Sequence, residues 1–152
     1  MAVRPVSRGG KWTFHGPGQI VIYPIVRLTD IGFSSRATLP FLSTLRTGVM
    51  GAIRASGITC NTGENPFGIY AESKKLVSFG IAISRGICSN GLAVYVGPQQ
   101  NYFDGIIPCG VRETKVTSFE ELGRKPDWER LTSQLVEHIK FSFKTVSETL
   151  SL

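Results

Sequence analysis

The chain has 152 residues, 41% of them hydrophobic and 18% charged, the makeup of one folded domain able to bury a core, which excludes a disordered or membrane-embedded chain by composition. A net charge of +6 draws it toward anionic partners, but the basic residues are scattered and form no dense nucleic-acid-binding tract. No apolar run approaches the ~18 residues of a bilayer span, and Met1 to Pro5 lacks the apolar stretch of a signal peptide. These features point to the cytoplasm, or to mitochondria in a eukaryote, with neither membrane nor nucleic acid as partner.

In chain order, Gln19 to Val26 is nearly continuous apolar and reads as a strand covered on both faces. Leu39, Leu42, Leu45, Val49 and Ile53 recur at helical spacing, Gly48 and Gly51 weaken that helix, and Gly57 suits the left-handed residue that closes it. Gly68 to Ala71, Leu76 to Ile83 and Gly91 to Val96 read as three strands of an antiparallel meander, with turns at Asn65-Pro66, Glu72-Ser73 and Ser89-Asn90. Ser118-Phe119-Glu120-Glu121 has capping-box order and predicts a short helix stopped by Gly123. Beyond Pro126, the stripe Trp128, Leu131, Leu135, Ile139, Phe143, Val146 and Leu150 predicts a long helix packed on the sheet. Strands in runs and helices in blocks define an α+β class.

Four stretches could carry chemistry. Arg8 to Gln19 holds four glycines and a proline ahead of a strand; it exposes main-chain N–H groups to a ligand, with Arg8, Thr13 and His15 to orient a carbonyl or phosphate, or it is simply a tight hairpin. Lys75 heads a strand, where a lysine either snorkels into water or sits partly desolvated and moves protons; alternation aims Lys74 the other way. Cys109, between Pro108 and Gly110, is either a small buried hydrophobe or a thiol at a cavity mouth, activated by a cation that folding brings near. Three cysteines with no metal-ligand spacing argue against a disulfide framework or a zinc site, and Cys60 and Cys88 read as buried thiols. Ser89 to Val96 is by composition a hairpin.

Together and in this order, the stretches resemble the lipoyl(octanoyl) transferase family, whose members carry an Arg-Gly-Gly…Thr-Tyr-His-Gly-Pro-Gly-Gln loop, a Lys-Ile-Ala-Ser-Leu-Gly strand, a His-Gly-Leu-Ala-Leu-Asn turn and a Pro-Cys-Gly. The likeness runs from about Val6 to Phe143. The resemblance implies a mixed, largely antiparallel sheet flanked by helices, as in lipoate-protein ligase and biotin ligase catalytic domains. It implies Cys109 as nucleophile and Lys75 as its proton-transfer partner. It also implies an acyl site lined by Arg8, Gly9, Gly10, Lys11, Trp12, Thr13, Phe14 and His15, by Ser78, Phe79 and Gly80, and by Gly91, Leu92 and Ala93. The donor would be octanoyl-acyl carrier protein and the acceptors lipoyl domains and glycine-cleavage H protein, with no cofactor and no metal. Asn90 stands where the family has histidine and Tyr95 where it has asparagine. Family members also carry an N-terminal Glu-His-Pro-Pro…Gly-Arg stretch ahead of the loop with which this chain almost begins. The alternatives are an ATP-dependent ligase, which needs no nucleophilic cysteine, and a non-catalytic acyl- or partner-binding module.

Overall fold

The computed structural model describes residues 13–63, 65–98, 103 and 115–150. Its elements in chain order are strands β1 (Gln19–Ile22) and β2 (Val26–Arg27), a 3₁₀ turn (Leu28–Ile31), helix α1 (Thr38–Ala55), strands β3 (Gly68–Ala71), β4 (Lys74–Ser84) and β5 (Ile87–Tyr95), and helix α2 (Trp128–Leu150). The strands form one sheet in the order β1-β5-β4-β3, with β2 also on β5, and every strand pairing is antiparallel. A parallel bridge among the described residues, Lys75 to Val116, adds the mixed character expected of the fold class.

Alternation gives the sheet two unlike faces. Ile20, Ile69, Val77, Phe79, Ile81, Leu92 and Val94 join Phe41, Leu45, Val49 and Ile53 of α1 and Leu131, Leu135 and Ile139 of α2 in one core. The helices meet closely. A β-carbon on Gly48 would stand 2.7 Å from Ile139 Cα and one on Gly51 2.8 Å from His138 Nδ1. The two glycines that lower helix propensity are thus where α2 seats on α1. Gly57 follows α1 at φ +79, in the left-handed region a helix stop requires.

Four expectations change. The run from Gln19 to Val26 is broken at Pro24, which has no N–H for the ladder, although pairing with β5 resumes in unchanged register (Ile22 with Leu92, Val26 with Cys88). It is not covered on both faces either: Tyr23 is 61% and Ile25 65% exposed, on the face away from the helices. The β4–β5 turn lies at Arg85-Gly86, both at positive φ as a two-residue hairpin turn demands, while Ser89 and Asn90 lie inside β5 opposite Ala82 and Ile81. Ser118 does cap, its Oγ accepting from Glu121 N–H at 3.2 Å, but the chain makes only a turn before Gly123. Finally, Trp128 opens α2 at 42% exposure instead of joining its buried stripe.

Candidate active site

The site lies on the sheet face opposite the helices, and a bulge turns Lys75 onto it. Ile69 pairs with Val77 but Tyr70 pairs with Lys75, so Leu76 has no partner across the ladder. Leu76 and Val77 both enter the core. One extra residue reverses the alternation, and Lys75, which strict period two would set beside Val77 and Phe79, shares the face of Ser78. Its Cε lies 3.0 Å from where a β-carbon on Gly68 would stand, Gly68 being the partner of Ser78.

Lys75 is fully buried. Its Nζ lies 5.6 Å from the centroid of the Tyr70 ring, a cation–π contact that offsets part of the cost of taking an ammonium out of water. Its backbone is held from both sides, the N–H donating to Lys115 O at 2.8 Å and the carbonyl accepting from Thr117 N–H at 2.9 Å. Along the same face Ser78 Oγ and Tyr95 Oη are 2.6 Å apart. Tyr95 is fully buried and packs edge-on against Phe103 at 5.4 Å, and Phe103 against Phe14 at 6.1 Å.

Beside this layer is a cavity of about 90 Å³ lined by Thr13, His15, Val21, Tyr23, Ser78, Phe79, Gly80, Asn90, Gly91, Leu92 and Ala93. The structure thus brings together the end of the glycine-rich loop, the Ser-Phe-Gly of β4 and the Gly-Leu-Ala of β5. The last two are adjacent because Ser78, Phe79 and Gly80 pair with Ala93, Leu92 and Gly91. β1 runs close over Gly91: a β-carbon there would stand 1.7 Å from Ile22 O. Phe14 lies in the aromatic layer rather than in the cavity wall. Arg8, Gly9, Gly10, Lys11, Trp12 and Cys109 lie outside the described residues. Val21 and Tyr23 were not expected in the wall; strand alternation from Gln19 was the signal that could have found them. Asn90 lines it at φ +57, a left-handed conformation that asparagine tolerates better than most residues.

Cys60 and Cys88 are buried thiols. Burial pushes Cys88 up to about 11; it also raises Cys60, opposed by the charge and hydrogen bond of Arg54. Both shifts favour the neutral thiol, the poorer nucleophile. Among the described residues no group of three or more His, Cys, Asp or Glu is placed to hold a metal, and no helix is long and apolar enough to cross a membrane.

An antiparallel sheet flanked by helices is the fold of the lipoate- and biotin-protein ligase catalytic domains. A lipoate protein ligase of Thermoplasma acidophilum with bound lipoic acid superposes with a TM-score of 0.69 at 14% identity, over 91% of this chain and 57% of that one. A biotin protein ligase of Aquifex aeolicus does so with a TM-score of 0.64 at 17% identity, over 86% and 55%. At these identities the likeness is one of fold. Residues 2–140 match the lipoyl protein ligase A/B catalytic domain, and the chain belongs to that family. A probable octanoyltransferase of Pyrobaculum arsenaticum is 41% identical over 122 residues, 80% of this chain and 55% of that protein. A mitochondrial octanoyltransferase of Arabidopsis thaliana is 35% identical over 140 residues, 90% and 58%. The chain therefore spans somewhat more than half the length of these curated relatives.

Proposed function

We propose that this protein is an acyltransferase that carries an octanoyl group from octanoyl-acyl carrier protein to a lysine of a lipoyl domain or of glycine-cleavage H protein, through a thioester on Cys109. One observation carries the reading beyond family membership: both flanks of the stretch that holds Cys109 are tied to the face of Lys75. Phe103, six residues before Cys109, packs on Tyr95, and Lys115, six residues after it, takes the Lys75 N–H. A cation within about 4–6 Å of a thiol stabilises its thiolate, and that is the role proposed here for Lys75.

In this mechanism the Cys109 thiolate attacks the octanoyl carbonyl carbon, a new C–S bond forms, and the C–S bond to the carrier's thiol breaks. Lys75 gives its proton to the departing thiolate. The acceptor lysine then attacks the Cys109 thioester, the amide bond forms, and the Cys109 thiolate is released beside Lys75. Thr13, His15, Ser78 to Gly80 and Gly91 to Ala93 surround the acyl group, with Arg8 to Trp12 completing the loop side and Phe14 behind it in the aromatic layer. The chemistry uses no nucleotide and no metal, and its partners belong to the cytosol or the mitochondrial matrix. The net charge of +6 favours encounter with acidic carriers.

The test is the intact mass of the protein after mixing with octanoyl-acyl carrier protein. A gain of one octanoyl group that Cys109→Ser abolishes, and that discharges onto an apo lipoyl domain without ATP, is the expected result. A requirement for ATP would make the chain a ligase, and binding of the carrier without acylation would make it a binding module.

A further inference from the structure

His15 is a cavity-lining side chain whose Nδ1 hydrogen can be placed from its neighbours. Gln19 Nε2 lies 3.2 Å from Phe14 O and Gln19 Oε1 3.1 Å from His15 Nδ1. A carbonyl oxygen only accepts, so the end of the amide that faces Phe14 O is the NH₂ group, and the end that faces His15 is the carbonyl. An amide carbonyl in turn requires a donor, so His15 Nδ1 carries the hydrogen. In the neutral ring the lone pair is then on the other nitrogen, Nε2. Among the described residues His15 makes no hydrogen bond other than this one, and it lines the cavity with Ser78 and Gly91. Gln19 is in turn anchored, because it opens β1 opposite Tyr95.

We propose that His15 Nε2 is the base that deprotonates the acceptor lysine, with Gln19 as the positioning residue that fixes its tautomer. The proposal rests on the acyl transfer above, and proton accounting shows why that reaction has room for it. The acceptor arrives as an ammonium with three protons and leaves as an amide nitrogen with one, so two must go. Lys75, having given one proton to the carrier's thiol, takes one back. The remaining proton needs a second site, and it must leave first, since an ammonium has no lone pair to attack with. His15 Nε2 accepts that proton. The free amine then attacks the thioester carbon, the nitrogen passes its second proton to Lys75, and the C–S bond breaks to release the Cys109 thiolate beside the recharged lysine. His15, exposed at the cavity rim, returns its proton to solvent.

Two measurements test this. The chain has two histidines, His15 and His138, so ¹⁵N-histidine labelling with His138→Gln to assign the second ring reads the His15 tautomer directly in mildly alkaline buffer. The expected result is protonated Nδ1 and bare Nε2, with Gln19→Leu giving a mixture. The second measurement compares discharge of the octanoylated protein onto an apo lipoyl domain with discharge onto hydroxylamine, a nucleophile already neutral near pH 7. His15→Gln should lower the lysine-to-hydroxylamine rate ratio by about 10²-fold, the usual scale of a lost general base. Gln19→Leu should lower it less. A ring protonated at Nε2 in the wild type, or a ratio that His15→Gln leaves unmoved while the protein still becomes octanoylated, overturns the base assignment alone. A wild-type protein that takes up no octanoyl group overturns the acyl-transfer reading and this proposal with it.

Discussion

The Cε of Lys75 lies 3.0 Å from the place a β-carbon on Gly68 would occupy, so the absence of a side chain at Gly68 leaves the path along which Lys75 reaches toward Ser78. Gly68→Val should displace the Lys75 side chain without removing its charge. The pH midpoint of Cys109 alkylation by iodoacetamide should then rise, as it should in Lys75→Ala. Lys74→Ala should leave it nearly unmoved, because Lys74 pairs with Ala71 one residue along the strand and points to the other face. Equal shifts from Lys74→Ala and Lys75→Ala would mean that only general surface charge is sensed.

Gly91→Ala should cost about 3 kcal/mol or more, the range of forced backbone displacement. Its β-carbon would stand 1.7 Å from Ile22 O and 3.0 Å from Tyr23 Cα, and a main-chain atom cannot rotate away as a side-chain tip can. Chemical denaturation of the variant measures this; a loss under about 1 kcal/mol would show that β1 shifts away from β5 without penalty.

Cys60 and Cys88 should resist alkylation in the folded protein at mildly alkaline pH and react only on unfolding. Cys88 titrates at about 11 when folded against 9.0 for an ordinary thiol. Its contribution to stability is therefore complete below about pH 9 and is lost as pH climbs toward 11. The stability difference between the wild type and Cys88→Ala should narrow over that window, read from denaturation midpoints at successive pH values. A constant difference would mean that Cys88 deprotonates equally easily in both states.

Thr117 is fully buried, and its Oγ1 has no hydrogen-bond partner among the described residues. An unpaired buried hydroxyl costs free energy that a methyl does not. Thr117→Val should therefore raise stability by about 1 kcal/mol while the backbone bond from Thr117 N–H to Lys75 O stays in place. Destabilisation would show that the hydroxyl is engaged.

Much of the frame was legible in the residue order. Local patterns report it: the 3.6-residue apolar spacing of α1 and α2, the glycine after α1, and the Glu72-Ser73 turn, whose residues both take positive φ. The residues around the cavity were legible for another reason, since Thr13, His15, Ser78 to Gly80 and Gly91 to Ala93 carry the family motifs as short contiguous words. What is written in contiguous residues can be read without the fold.

The rest depends on pairings between distant segments, which no single stretch encodes. Whether Ser89-Asn90 or Arg85-Gly86 makes the hairpin turn is decided by which register buries Val77, Phe79 and Leu92 together. That Tyr23 and Ile25 face outward follows from which side of the sheet the helices cover. Above all, the residues alone state that there is a lysine at position 75, and strict alternation would have sent it into the core. Only the tertiary structure, by seating Leu76 as a bulge against β3, turns Lys75 to the cavity face. A register shift of one residue reverses every side chain beyond it.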